Sequence, residues 1–285
     1  MKTLSLGAVV LCIAGTTGCM NASASAGDHH AMAIGGDMNR TLDQDDSLSL
    51  IGGNMDLGGR VGGDVSLVGG NIELDLDIGR DLSVAGGNLD VRGRIGEDAS
   101  IAGGAIDWHA DVGHDLELAG GDVTIDAEIG NDLEVASGEL TIANDTVIRR
   151  NAEMAAGQIE MNGRIGGTLD AAAAFVQVRG TVDGFTVIEA DPREGRRSWH
   201  ASFDQDGNRS GSTNGLVEIT GTLNEGADIC ARRVSVLRNA RIFGELRVWA
   251  DFEPNIADGA SIGSMRYEAR DGRDCDDILD DNRAR

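Results

Sequence analysis

The chain has 285 residues, a formal net charge of −24 and 42 glycines, yet only 3% of its residues are aromatic. So acidic a chain repels phosphate backbones and anionic headgroups, which argues against nucleic acid and acidic lipid surfaces as partners. A core must come from Val, Ile, Leu, Met and Ala instead of large rings.

Met1 to Gly18 carries Lys2, an apolar run from Leu4 to Ala14, and then Gly15-Thr16-Thr17-Gly18-Cys19. This is the pattern of a secretory signal over 1–18, too short to span a bilayer. Gly18-Cys19 resembles the lipobox of bacterial lipoproteins. That resemblance implies lipidation of Cys19 and anchoring in the cell envelope, at the periplasm-facing or the outer membrane. The small-x-small run Ala24-Ser25-Ala26 offers a second cut that would give a soluble exported protein. Residues 19–48 are polar and small, and they read as a flexible tether in which Asp28, His29 and His30 are linker residues sooner than metal ligands.

From 49 to 190 one phrase recurs. The second glycine of a Gly-Gly pair falls at Gly53, Gly70, Gly87, Gly104 and Gly121, followed by Gly138, at one constant interval. Five columns of the phrase are apolar, beginning Met55/Ile72/Leu89, Leu57/Leu74/Val91, Val61/Ile78/Ile95, Val65/Leu82/Ala99 and Leu67/Val84/Ile101. Columns one and two are two residues apart, as are four and five, which is strand alternation. Glycine with Asn or Asp at fixed places supplies the corners. Since identical residues must stack to keep each column inside, the expected fold is all-β, a parallel solenoid with about 17 residues per coil and roughly 11 coils. A further column shrinks from Ile51 and Val68 to Ala85 and Ala102, and it reads as small residues packed beside the Gly-Gly corner.

The coil from Leu140 to Met154 reads two residues longer, and the register returns at Gly157. Residues 191–215 lose the pattern and read as an inserted polar loop. The coils resume over 216–268, and 269–285 reads as a frayed acidic tail. Cys230 and Cys275 form an even pair in an oxidising compartment and are a disulfide candidate that would tie this tail to the final coils.

The most regular polar feature is the column Asp64, Asp81, Asp98, Asp115 and Asp132, continued by Asn151. Unit charges about 4.8 Å apart repel by about 0.9 kcal/mol in bulk water, so the ladder needs compensation. The first reading is corner capping by side-chain acceptance of backbone N–H groups; the second is a row of bound Ca2+ ions. Asn54, Asn71 and Asn88, with Asp122, form another polar column of corner type. In the loop, Asp204, Asp206 and Asn208 resemble the start of a calcium loop but lack its closing Glu. Trp108 takes a core column, with His109 and His114 at solvent-facing or corner positions. No Ser/His/Asp group or Cys-x-x-Cys appears, so no enzymatic activity is expected.

The phrases Gly59-Arg60-Val61-Gly62-Gly63-Asp64-Val65, Gly93-Arg94-Ile95-Gly96-Glu97-Asp98 and Gly163-Arg164-Ile165-Gly166-Gly167 resemble the bactofilin-like, polymer-forming proteins of bacteria. So does the closing Gly259-Ala260-Ser261-Ile262-Gly263-Ser264-Met265-Arg266-Tyr267. The resemblance implies a right-handed parallel β-helix that self-associates through its ends and acts as a membrane-associated scaffold. The expected role is thus a non-enzymatic structural rod of the cell envelope. The alternative is a surface adhesin or a module that binds cell-wall polysaccharide. If a Cys230–Cys275 bridge drew the acidic tail over the last coil, that end would be blocked by charge and the first coil left free.

Overall fold

Strict alternation makes Asn71–Ile78 a strand whose every second side chain, Ile72, Leu74, Leu76 and Ile78, is buried. Gly79 then turns the chain. A Cβ at Gly79 would lie 2.3 Å from the carbonyl oxygen of Gly62 one coil earlier, so this corner stacks only as glycine on glycine. The short strand Leu82–Ala85 buries Leu82 and Val84, and Gly86-Gly87 closes the coil. Each strand pairs in parallel with its counterparts in the coils before and after. Ile72 stands between Met55 and Leu89, and Val84 between Leu67 and Ile101.

The computed structural model describes residues 30–190 and 214–283. Its strands form one parallel sheet wound into a β-solenoid of about 13 turns, the parallel β-helix expected from the repeat. At about 4.8 Å per turn the rod is roughly 60 Å long. All five apolar columns point inward and merge into one continuous core. A sixth column, Leu42, Gly59, Leu76, Gly93, Ala110 and Ala127, turns its leucines and alanines inward, whereas Gly59 is exposed and Gly93 half-buried; it escaped the sequence pattern because leucine and glycine alternate along its first part. Gly59 and Gly93 have φ of 112° and 108°, conformations that side-chain-bearing residues rarely adopt.

The core register survives both irregularities. In the longer coil Ile148 still stacks on Ile129, and the extra residues bring Thr146 inside, where its hydroxyl donates to the carbonyl of Ile125 at 2.7 Å. Val217 stacks on Val176 and Leu223 on Val182, so the chain leaves after Ala190 and re-enters the same sheet at Leu216.

Four expectations need correction. The span 19–48 is not a tether throughout, because His30–Ile34, Met38–Gln44 and Ser47–Ile51 are strands paired with the coils that follow. Gly35-Gly36 lies one full repeat before Gly52-Gly53, and Met38 one full repeat before Met55, so the repeat begins there under a more polar surface. These strands are why the solenoid exceeds 11 coils. The tail is not frayed either: Cys275–Arg283 is a helix. Cys275, Ile278 and Leu279 share one face at helical spacing, and all three are buried. Finally, the column Ile51, Val68, Ala85, Ala102 faces solvent instead of packing at the corner. It alternates with the buried Leu50, Leu67, Val84 and Ile101, and a strand cannot bury both sets.

Candidate functional site

The outer surface is organised as ladders. In the carboxylate column each side chain caps the coil that follows. Asp81 Oδ1 accepts the N–H of Asp98 at 3.2 Å, Asp98 that of Asp115 at 3.1 Å, and Asp115 that of Asp132 at 3.1 Å. Asp132 Oδ1 accepts from the Asn151 backbone at 2.9 Å, and Asn151 Oδ1 from Thr168 at 3.0 Å. Asp64 differs, since its own N–H donates to Ser47 Oγ at 3.0 Å and Arg80 Nε stands 3.4 Å from its Oδ1. From Asp81 to Asp132 the column therefore does inter-coil capping, each of these carboxylates holding a backbone donor of the next coil. Among the described residues no three His, Cys, Asp or Glu side chains gather as a metal-holding group. Asp204, Asp206 and Asn208 lie outside the described residues, as does Cys19.

The neighbouring amide column is a continuous hydrogen-bonded chain. Asn88 Nδ2 donates to Asn71 Oδ1 at 2.8 Å, Asn71 to Asn54 at 2.8 Å, and Asn54 to Asp37 at 2.7 Å. Such stacked amides bind coil to coil in addition to the backbone. Between this column and an acidic one that includes Asp56, Glu73, Asp90 and Asp107 runs a shallow trough of about 560 Å³ with no aromatic residue in its lining. Arg92 bridges Asp90 at 2.8 Å and approaches Glu73 at 3.8 Å, on the same face. Near the next corner a third column alternates in sign through Asp43, Arg60, Asp77, Arg94 and Asp111.

Trp108 is fully buried, its indole N–H donating to the carbonyl of Ala110 at 2.7 Å. His109 Nδ1 lies 4.0 Å from Asp126 and His114 Nδ1 3.8 Å from Asp98, each half-exposed and apart from the other. These histidines have surface carboxylate neighbours and do not converge on a common centre.

The C-terminal end is built differently. The structure joins Cys230 to Cys275. The disulfide helps to hold the helix on the flank of the solenoid, where Ile278 and Leu279 pack with Trp249 and Val187. Arg270 is buried, its guanidinium paired with Asp251 at 3.0 Å and donating to Cys275 Sγ at 3.4 Å. Arg247 forks onto buried Asp228 and lies 5.7 Å over the Trp249 ring. The helix meets the strands Thr186–Ala190 and Ala227–Ala231, which are inner coils, and so it does not lie over the last one as the expected tail would. Sequence reading missed this dock because four aspartates mask the three apolar residues of a nine-residue helix.

The last coil is open. Ser261–Ala269 pairs with Arg241–Ala250 on one side, and among the described residues no strand pairs with its other edge. Met265 and Ile256 are 44% and 37% exposed, whereas Leu246 and Val236, directly below them in the same columns, are fully buried. Among the described residues no helix is long and apolar enough to cross a membrane. No family model, curated protein or solved structure matches the chain.

Proposed function

We propose that this chain is a non-enzymatic structural rod of the bacterial cell envelope. It is built in the manner of the bactofilin-like proteins its repeats resemble, is exported by its N-terminal segment, and is anchored by lipid on Cys19. The observation that carries the reading is the open C-terminal coil. A strand edge with unpaired backbone groups above a half-exposed apolar interior is a surface that natural proteins cover or pair, and the coil end of another copy fits it. The flank position of the acidic helix leaves that end accessible, so association uses the C-terminal coil as well as the first. The alternative, polysaccharide binding, would use the trough beside Asn54, Asn71 and Asn88, whose amides and carboxylates suit sugar hydroxyls. It ranks second because the trough offers no ring on which a sugar can stack.

Electron microscopy and sedimentation of the purified chain test the rod. Wild type should form end-to-end assemblies that Met265→Asp shortens or abolishes, and a wild type that stays monomeric at high concentration would overturn the reading. Labelling cells with an alkyne fatty acid should tag wild type and not Cys19→Ala. Labelling that ignores Cys19 would end the lipoprotein reading, and a wild type without label would leave export with cleavage at Ala26 in its place.

A further inference from the structure

One outward column runs Ile34, Ile51, Val68, Ala85, Ala102 and Ala119 in unbroken register. Its first three members are 55%, 48% and 48% exposed, large aliphatic side chains stacked on a flat face. Farther along, the same column reaches Glu189, Cys230 and Trp249. There the protein covers it with its own helix, leaving Cys230 and Trp249 0% and 3% exposed. The apolar C-terminal stretch of this column is thus sheltered and the N-terminal stretch is bare.

The surroundings indicate what shelters it. On a chain of net charge −24 most faces repel a second copy. The bare stretch is the least charged: Ser49, Ser66, Ser83 and Ser100 flank it on one side, and across the Gly-Gly corner stand Asn54, Asn71 and Asn88, with Asp37 only at the first coil. Beyond Ser100 the flanking column turns acidic: Glu117, beside Ala119, stands at the edge of this face, and Glu134 and Glu153 lie past it. The size gradient fixes the arrangement. If two copies meet face to face with their axes antiparallel about a two-fold between Val68 and Ala85, Ile34 faces Ala119, Ile51 faces Ala102 and Val68 faces Ala85. Large residues then meet small ones at every level, the condition for interdigitated packing, and the contact is isologous. With axes parallel, Ile would face Ile and Ala would face Ala, leaving a wedge.

We infer that this face is a lateral, antiparallel contact with a second copy of the chain. It is distinct from any contact at the coil ends. Six coils at about 4.8 Å by a width of roughly 13 Å give on the order of 750 Å² buried in total. A stable pair buries roughly 1200 Å² or more, so this contact falls short. A single contact is weak, and it gains strength where rods already lie side by side.

Cross-linking tests it with the full chain carrying Met265→Asp to remove end contacts. A mixture of Val68→Cys and Ala85→Cys chains, treated with a short thiol-reactive bifunctional reagent and read by peptide mass spectrometry, should give the 68-to-85 adduct between chains. Neither variant alone should do so efficiently. Adding Ile51→Asp, which sets a carboxylate against the apolar surface of the other copy, should cut the yield about tenfold or more, a loss equivalent to 1.4 kcal/mol, without shifting the melting temperature. A predominant 68-to-68 adduct, a yield indifferent to Ile51→Asp, or no adduct between chains would each overturn the inference. Because the end is blocked in every arm, failure here leaves the end-to-end reading standing.

Discussion

Gly58 and Gly59 are neighbours in the sequence and opposites in the solenoid. At Gly58 an added Cβ meets only the carbonyl oxygen of Asp75, at 3.7 Å, an ordinary contact. At Gly59 it would come within 2.1 Å of the Leu42 carbonyl oxygen, and φ there is 112°. Holding alanine in such a conformation costs about 1–3 kcal/mol. The clash adds to this, because the obstructing atom is backbone on the preceding coil and cannot swing away. Gly59→Ala should therefore lose about 3 kcal/mol or more, lowering the melting temperature by at least about 6 °C at roughly 2–4 °C per kcal/mol for a domain of this size. Gly58→Ala should be neutral or gain about 0.4–1 kcal/mol by restricting the unfolded chain. Thermal melting by circular dichroism measures both, and amide hydrogen exchange around Leu42 and Leu76 should rise only in Gly59→Ala. Equal responses at the two positions would refute the stacking geometry.

Trp108→Ala removes a fully buried ring and the partner of the Ala110 carbonyl, and should cost about 3–5 kcal/mol by denaturant unfolding. Asp98→Asn keeps an acceptor for the Asp115 N–H while removing like-charge repulsion from the column, so it should be slightly stabilising at low salt. That gain should vanish in 1 M salt, where screening is nearly complete (Debye length about 3 Å); a loss at low salt that 1 M salt removes would mean that attractive charges outweigh the repulsion along the column. Asp251→Ala leaves the buried Arg270 guanidinium short of its carboxylate and should destabilise the C-terminal coils by about 3–5 kcal/mol. Hydrogen exchange should then report loosening of Cys275–Arg283 with the first coils unaffected.

The fold was legible because a solenoid repeats its constraints. Each of the five columns is sampled in nearly every coil, so Val61, Ile78 and Ile95 announce the same inward position independently. The sixth column was not, since Leu76 between Gly59 and Gly93 looks like noise until register places them together. The first coils were hidden by chemistry. Arg40, Asp43 and Gln44 make Met38–Gln44 look like linker, although Met38 and Leu50 keep the apolar beat. The outward direction of the Ile51 column follows from alternation with Leu50, Leu67 and Val84, but the aliphatic character of Ile51 and Val68 beside the Gly-Gly corner reads as burial. The Cys230 and Cys275 pairing was legible from their even count; the flank on which the helix rests was not, because that depends on Trp249 and Val187 meeting in space.

The alternation along the column Leu42, Gly59, Leu76, Gly93 and Ala110 runs in step with that of the outward Asp43, Arg60, Asp77, Arg94 and Asp111. Leu-Asp and Gly-Arg coils take turns, so over this stretch the translational unit is a doublet of coils. A rod with such a doublet has parity. Excising residues 59–75 would set Leu42 against Leu76 and Asp43 against Asp77, overfilling the interior and doubling a like charge. Excising 59–92 would set Leu42 against Gly93 and Asp43 against Arg94, and both alternations would run on undisturbed. Shortened by an even number of coils the rod should melt much as before; shortened by an odd number it should carry a fault at the splice.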